Sequence, residues 1–335
     1  VDAHFVDPSR TEYGCFATIG AACACAKPFD VVLIAPGVYT ERLDLEKSLD
    51  IVGVGKVGSV IVTGMDGPVV QVACKVACRV ANLTIRQQAG EQNVPMTGAV
   101  RVEGGGVLVL EESTVTSDAG HCVVVKGQDT YAYVLHNAVQ HAKGVGVLVC
   151  DHAKATVEDN DISRNKRAGI AILSGGDPVV RHNKIHNGFD SGVLVSEKGK
   201  GRIERNEIFS NMRAGVAILK EGTPIVTQNR IYDGRDSGVL VCENGRGSVV
   251  DNEIYSNQMA GVAIGHGGAS QVKGNMIRDG SGGSLLCLST LSKGLIKSNI
   301  IDQHPLTALQ IPPALLHEVH AQNLIRHIGQ VQLCA

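Results

Sequence analysis

Residues 146–195 read GVLVCDHAKATVEDNDISRNKRAGIAILSGGDPVVRHNKIHNGFDSGVLV, and the frame of this stretch returns down the rest of the chain. Gly146, Gly169, Gly192, Gly215, Gly238 and Gly261 stand 23 residues apart, and each opens a four-residue apolar run. Fourteen residues after each glycine comes an asparagine: Asn160, Asn183, Asn206, Asn229, Asn252 and Asn275. Asn137 extends the column backwards, and Asn299 and Asn323 extend it forwards with one extra residue each. Two residues after the asparagines stand Ile162, Ile185, Ile208, Ile231, Ile254 and Ile277. A unit this short cannot bury a face alone, so the units must stack.

The runs alternate with period two. Val147 and Val149 and their equivalents are β-branched and are read as pointing inwards. The residue between them varies and is read as pointing outwards. Val157, Val180, Ile203, Val226, Val249 and Val272 form a further inward column. Three short strands per turn with Gly and Asn corners predict an all-β fold, a right-handed parallel β-helix of 23-residue rungs. A leucine-rich repeat needs several Leu at fixed offsets, and helical repeats need a 3.6 period; neither pattern is present. The asparagine column is expected at the corners, where Asn tolerates a left-handed backbone and its amide bonds to its own kind above and below.

Outward columns alternate in charge: Asp161, Lys184, Glu207, Arg230, Glu253; Arg167, Asp190, Arg213, Asp236; and Glu158, Arg181, Glu204. Opposite charges on adjacent rungs, about 4.8 Å apart, specify the stacking register. The middle strand residue alternates too, as Leu148, Ala171, Leu194, Ala217, Leu240, Ala263, which makes the full unit a 46-residue doublet. The Ala-rich stretch 16–26 is expected to be a helix capping the first rung. Residues 31–55 read as strand, turn, strand and strand, and 89–97 as a protruding loop. The expected organisation is a cap over 1–30, the β-helix over 31–301, and a last irregular rung with a tail over 302–335. With about ten rungs the rod would be on the order of 50 Å long.

Composition narrows the function. The net charge of −2 offers nothing to neutralise a phosphate backbone, which argues against a nucleic-acid partner. No stretch approaches the roughly 18 apolar residues of a membrane span, and no signal peptide is visible ahead of Val1, which reads as a processed or internal start. The 40 glycines, absent Trp and 3% aromatic content suit short strands and tight corners. Of the ten cysteines, Cys150 and Cys242 occupy the same point four rungs apart, and Cys23 and Cys25 sit among alanines. They read as small buried hydrophobes in a reducing, intracellular, cytoplasmic setting. Cys74 and Cys78 have no second pair to complete a zinc site.

Residues 16–55, FATIGAACACAKPFDVVLIAPGVYTERLDLEKSLDIVGVG, resemble the opening of pectin-lyase-like β-helix proteins. The repeats over 146–280, with RHNKIHNGFDSGVLV, RNEIFSNMRAGVAI and QNRIYDGRDSGVLVCENGRGSVVDNEIYSN, resemble the β-helix of F-box-only proteins. That resemblance implies a substrate-recognition part of a ubiquitin-ligase adaptor.

The chemistry-bearing residues are sparse. Asp233, Asp236 and Asp279 lie at corners, and Asp236 has Arg213 in its own column as an expected ion-pair partner. His182 and His186 are four apart but not on a helix, and His317 and His320 lack companion ligands, so no metal is expected. Glu103-Gly104-Gly105-Gly106 is a turn without the Lys-Ser/Thr of a phosphate loop. No catalytic residue and no cofactor is assigned. One outward column stands apart: Ser163, His186, Phe209, Tyr232, Tyr255, Arg278. Its rings, His186, Phe209, Tyr232 and Tyr255, are expected either to brace the rungs or to form a protein-binding stripe. The leading expectation is a non-catalytic scaffold with a protein partner. The alternative is a carbohydrate-active enzyme (lyase, hydrolase or epimerase) or a glycan-binding protein.

Overall fold

In the computed structural model the strand ladders follow the repeat: Ile208 lies opposite Ile185 on one side and Ile231 on the other. The structure describes residues 2–9, 14–90, 97–280, 286–288, 294–302, 304–326 and 328–333. The expected loop over 89–97 falls largely outside them. The chain divides into two compact units, 1–166 and 167–335, each built of parallel β-solenoid turns. The described strands make about twelve right-handed turns in all, against the ten expected.

Each turn contributes a strand to each of three sheets. In 1–166 the first sheet runs from Cys15–Phe16 and Ala3–Val6 through Val31–Ile34 to Lys154–Glu158. The second runs from Gly37–Thr40 to Asp161–Ser163, and the third from Leu43–Asp44 through Val70–Val72 to Val147–Cys150. In 167–335 the first sheet runs from Val179–Arg181 to Leu295–Lys297. The second runs from Lys184–His186 to Leu324–Ile325, and the third from Ile170–Ile172 to Ile328–Leu333. The predicted inward columns are dry: Ile203, Val226, Val249, Ile208, Ile231, Val216 and Val239 are all fully buried.

The asparagines are buried as well, and they form a ladder. Asn206 donates from Nδ2 to Oδ1 of Asn229 at 2.9 Å. Asn229 does the same to Asn252 at 3.0 Å, and Asn252 to Asn275 at 2.9 Å. Asn275 continues to Asn299, and Asn299 to Asn323; in 1–166, Asn137 donates to Asn160. Each amide also donates to a core-strand carbonyl, as Asn206 does to Val180 and Asn229 to Ile203.

The conformational half of the expectation is corrected. Up to Asn299 the left-handed residue is the one before the asparagine, as at Asp159, Arg205, Gln228, Asp251 and Ser298, which all have φ of 54–56°. The asparagine itself turns inwards after that corner, so satisfaction of buried main-chain groups selects it. A second, half-occupied ladder was missed. Asn165, Asn211 and Asn257 each accept a backbone N–H one rung back, from Ala142, Gly188 and Gly234.

The repeating glycines answer to close packing. A Cβ on Gly192, Gly215 or Gly238 would lie 2.3–2.5 Å from Cγ2 of Ile208, Ile231 or Ile254. A proline–glycine alternation sits at the entry to the first sheet. Gly201 and Gly247, with φ of 103° and 120°, leave room for Pro178 and Pro224; a Cβ there would stand 2.5 and 2.4 Å from the proline carbonyls. At the chain ends, the predicted capping helix spans Ile19–Cys25. Residues read as tail contain a second helix, Pro313–Gln322, because proline suits the first helical position, where its missing N–H would have no partner anyway.

Candidate functional site

The capping helix is clamped at both ends by the rung beneath it. The carboxylate of Glu41 accepts the N–H groups of Ile19 and Gly20 at 3.0 and 2.8 Å. Nζ of Lys47 donates to the carbonyls of Cys23, Ala24 and Ala26 at 3.1, 2.8 and 2.8 Å. Negative charge at the helix start and positive charge at its end both match the helix dipole.

Between these clamps, beside the third-sheet strands Leu43–Asp44 and Val70–Val72, lie two adjoining hollows of about 260 and about 330 Å³. They share Arg42, Asp44, Leu45 and Glu46; Lys47 and Leu49 line one, and Gln71 and Cys74 the other. Leu43, Leu45 and Leu49 line the first hollow but are almost fully buried, and Leu45 also borders the second. Arg42 donates from Nε to Asp44 at 3.0 Å and from a terminal nitrogen to Oε1 of Gln71 at 2.9 Å. Three planar polar groups are thereby held in one array, with Arg42 and Asp44 each about half exposed. Cys23 adds no nucleophile: burial first, then the charge of Glu41, pushes its thiol up to about 11. The eight cysteines whose side chains the structure describes are free.

The predicted ring column is a stack. His186, Phe209, Tyr232 and Tyr255 lie with successive centroids 4.7, 5.1 and 4.9 Å apart and planes within 6° of parallel. Arg278 lies over Tyr255 at 4.5 Å. Inner ring faces are therefore covered by neighbouring rings. Arg230 joins the rings to the charge column: it pairs with Glu207 at 2.6 Å and Glu253 at 3.5 Å, and donates to the Tyr255 hydroxyl.

One expected pairing is corrected. Arg213 turns to Asp190, at 3.6 Å, while the Asp236 carboxylate accepts the N–H of Ser237. Glu204 also pairs with Arg202 of its own strand, where two residues' separation puts both side chains on one face. Asp279 pairs with Arg278, so the corner carboxylates do not converge with Asp233 on a shared site. Glu103–Gly106 is the turn predicted, with Gly104 and Gly105 left-handed.

The hollow was not found from sequence. Asp44 and Gln71 are aligned partners, but their rungs are 27 residues apart, outside the regular period, so no column marked them.

A family model described as "Right handed beta helix region" matches residues 69–230 and 180–311. The chain belongs to that family. Among solved structures, this right-handed β-helix is similar to the A-module of mannuronan C-5 epimerase AlgE6 of Azotobacter vinelandii. The identity is 16% and the TM-score 0.57, over 95% of this chain and 91% of that one. It is similar to the periplasmic alginate epimerase AlgG at 15% identity and TM-score 0.55, over 80% and 76% of the two chains. It is also similar to XylC in complex with xylose, at 9% identity and TM-score 0.62, over 97% and 86%. At these identities the likeness is one of fold. Among the described residues, no helix is long and apolar enough to cross a membrane.

Proposed function

We propose that this β-helix binds a saccharide, in the hollow beside its capping helix. The observation that carries the reading is the preorganised array of Arg42, Asp44 and Gln71 in the second hollow, which Leu45 and Ala73 also line. A sugar ring presents hydroxyls at its edge, which such a site matches with convergent polar groups. Arg42 is held by two acceptors and offers its remaining N–H groups, while Asp44 and Glu46 accept from hydroxyls. The fold likeness to proteins named for mannuronan, alginate and xylose supports this reading. No bond-making or bond-breaking role is assigned to these residues. Calorimetric titration with oligomers of xylose and of mannuronate tests it. Binding by the wild type, weakened by Gln71→Ala and Asp44→Ala, is expected; heat from neither oligomer would end the reading.

A second reading, an intracellular protein-interaction scaffold such as the substrate-recognition part of a ubiquitin-ligase adaptor, draws on the third sheet of 167–335. Its outward residues alternate as Ala171, Leu194, Ala217, Leu240 and Ala263, and Leu173 and Leu219 follow the strands whose middle residue is alanine. The result is a staggered apolar face with leucine on successive rungs. Leu194→Lys with Leu240→Lys should abolish partner capture by the folded protein, and unchanged capture would exclude this face.

A further inference from the structure

We infer that Phe29 is a stacking platform for a pyranose ring at the rim of the polar hollow, a refinement that rests on the saccharide reading above. Residues Lys27-Pro28-Phe29-Asp30 form a β-turn closed by the Asp30 N–H on the Lys27 carbonyl at 3.1 Å. Pro28 occupies the second position of that turn, and Phe29 the third, with φ of 73°. A proline followed by a left-handed residue is the pattern of a type II turn, and its third position belongs to glycine or asparagine. A phenylalanine there strains the backbone, because its Cβ crowds the following carbonyl.

The side chain recovers nothing visible for that strain. Phe29 is 70% exposed, beside Val57 one of the most exposed large apolar residues described in the chain. Turn chemistry disfavours it and burial does not reward it. A residue kept in a strained conformation with its side chain in water is best explained by contact with something outside the fold.

Its position says what that contact would be. The Phe29 N–H donates to the carbonyl of Ser48 at 2.6 Å. Ser48 lies between Lys47 and Leu49, which line the first of the two hollows, the one that shares Arg42 and Asp44 with the second. The turn is fixed further by Asp30, whose carboxylate accepts the N–H groups of Lys27 and Asp2 at 2.9 and 2.8 Å. The turn that carries this solvent-facing ring is thus tied, through Ser48, to the segment that lines the first hollow. One part of an oligosaccharide can lay its C–H face on the ring while a neighbouring unit directs hydroxyls to Arg42, Asp44 and Gln71. The ligand class is a pyranosidic oligosaccharide of at least two units.

The turn geometry supplies a clean variant, because Phe29→Gly removes the ring and relieves the backbone together. Its melting temperature should equal or exceed that of the wild type, while affinity for the xylose or mannuronate hexamer falls about tenfold, the scale of one aromatic contact. Phe29→Tyr should bind as the wild type does. Sugar C–H protons should shift upfield in the proton spectrum on binding to wild type and not on binding to Phe29→Gly. If Phe29→Gly binds normally while Gln71→Ala does not, the platform is refuted and the saccharide site stands. A lower melting temperature for Phe29→Gly would make the ring structural and refute the platform too. If the wild type binds neither hexamer, both readings fall together.

Discussion

Asn229→Leu isolates what the asparagine ladder contributes. The Asn229 side chain accepts at Oδ1 from the main-chain N–H and from Nδ2 of Asn206, both at 2.9 Å. It donates to the carbonyls of Ile203 and Thr227 at 2.8 and 3.0 Å and to Asn252 at 3.0 Å. The residue is 1% exposed, so water cannot replace those bonds. Leucine would strip a buried N–H and a buried carbonyl of these partners, and each such loss costs about 1–3 kcal/mol. Burying the leucine returns about 1.5–3 kcal/mol, but branching in a slot shaped for a planar amide takes back about 1–3 kcal/mol. The expected net loss is about 4 kcal/mol by urea denaturation followed by circular dichroism. Two further variants separate bonding from backbone conformation. Asn229→Gly should be at least as damaging as Asn229→Leu, whereas Gln228→Gly should be neutral or stabilising, since Gln228 carries the left-handed φ of 56°. Rescue by Asn229→Gly, or a loss under about 0.5 kcal/mol for Asn229→Leu, would refute the reasoning.

Gly215→Ala should cost more than about 2 kcal/mol by the same assay, because its Cβ would lie 2.3 Å from Ile231 in a close-packed core. Tyr232→Ala and Tyr255→Ala should each lower stability by about 1 kcal/mol through lost ring stacking; undiminished stability together with lost partner capture would favour the protein-binding stripe instead. Arg230→Met should cost no more than about 1 kcal/mol, and the cost should shrink in high salt, because Arg230 is half exposed and its carboxylate partners are partly exposed. Asp30 is held well below the usual carboxylate range, first by the Asp2 N–H and then by His4 and the Lys27 N–H. A depressed folded value means that its contribution is complete above about pH 4 and is lost as the pH falls further. Amide exchange should therefore show strand Ala3–Val6 loosening in acid, and in Asp30→Asn at neutral pH. Equal protection in that variant would contradict the assignment.

The parts of the fold legible in sequence are those where one residue type answers one physical demand. Glycine recurs because any Cβ would strike an isoleucine, and asparagine because only a short side chain that both donates and accepts can serve buried neighbours on both sides. The left-handed corner was assigned one residue too late because its occupants share nothing: Asp159, Arg205, Gln228, Asp251 and Ser298 accept the φ without being selected by it. Other features were written at twice the period. Asn165, Asn211 and Asn257, like Pro178 and Pro224 with Gly201 and Gly247, repeat every 46 residues and vanish when only the 23-residue frame is followed. The doublet seen in the Leu/Ala alternation was the signal that could have exposed both. The hollow had no such signal, because its residues come from rungs of unequal length near the cap. Phe29 did leave one: an aromatic after proline, ahead of an aspartate, in a turn whose third position favours glycine. Regular repeats announce the scaffold through recurrence, and in this chain the candidate site lies where recurrence stops.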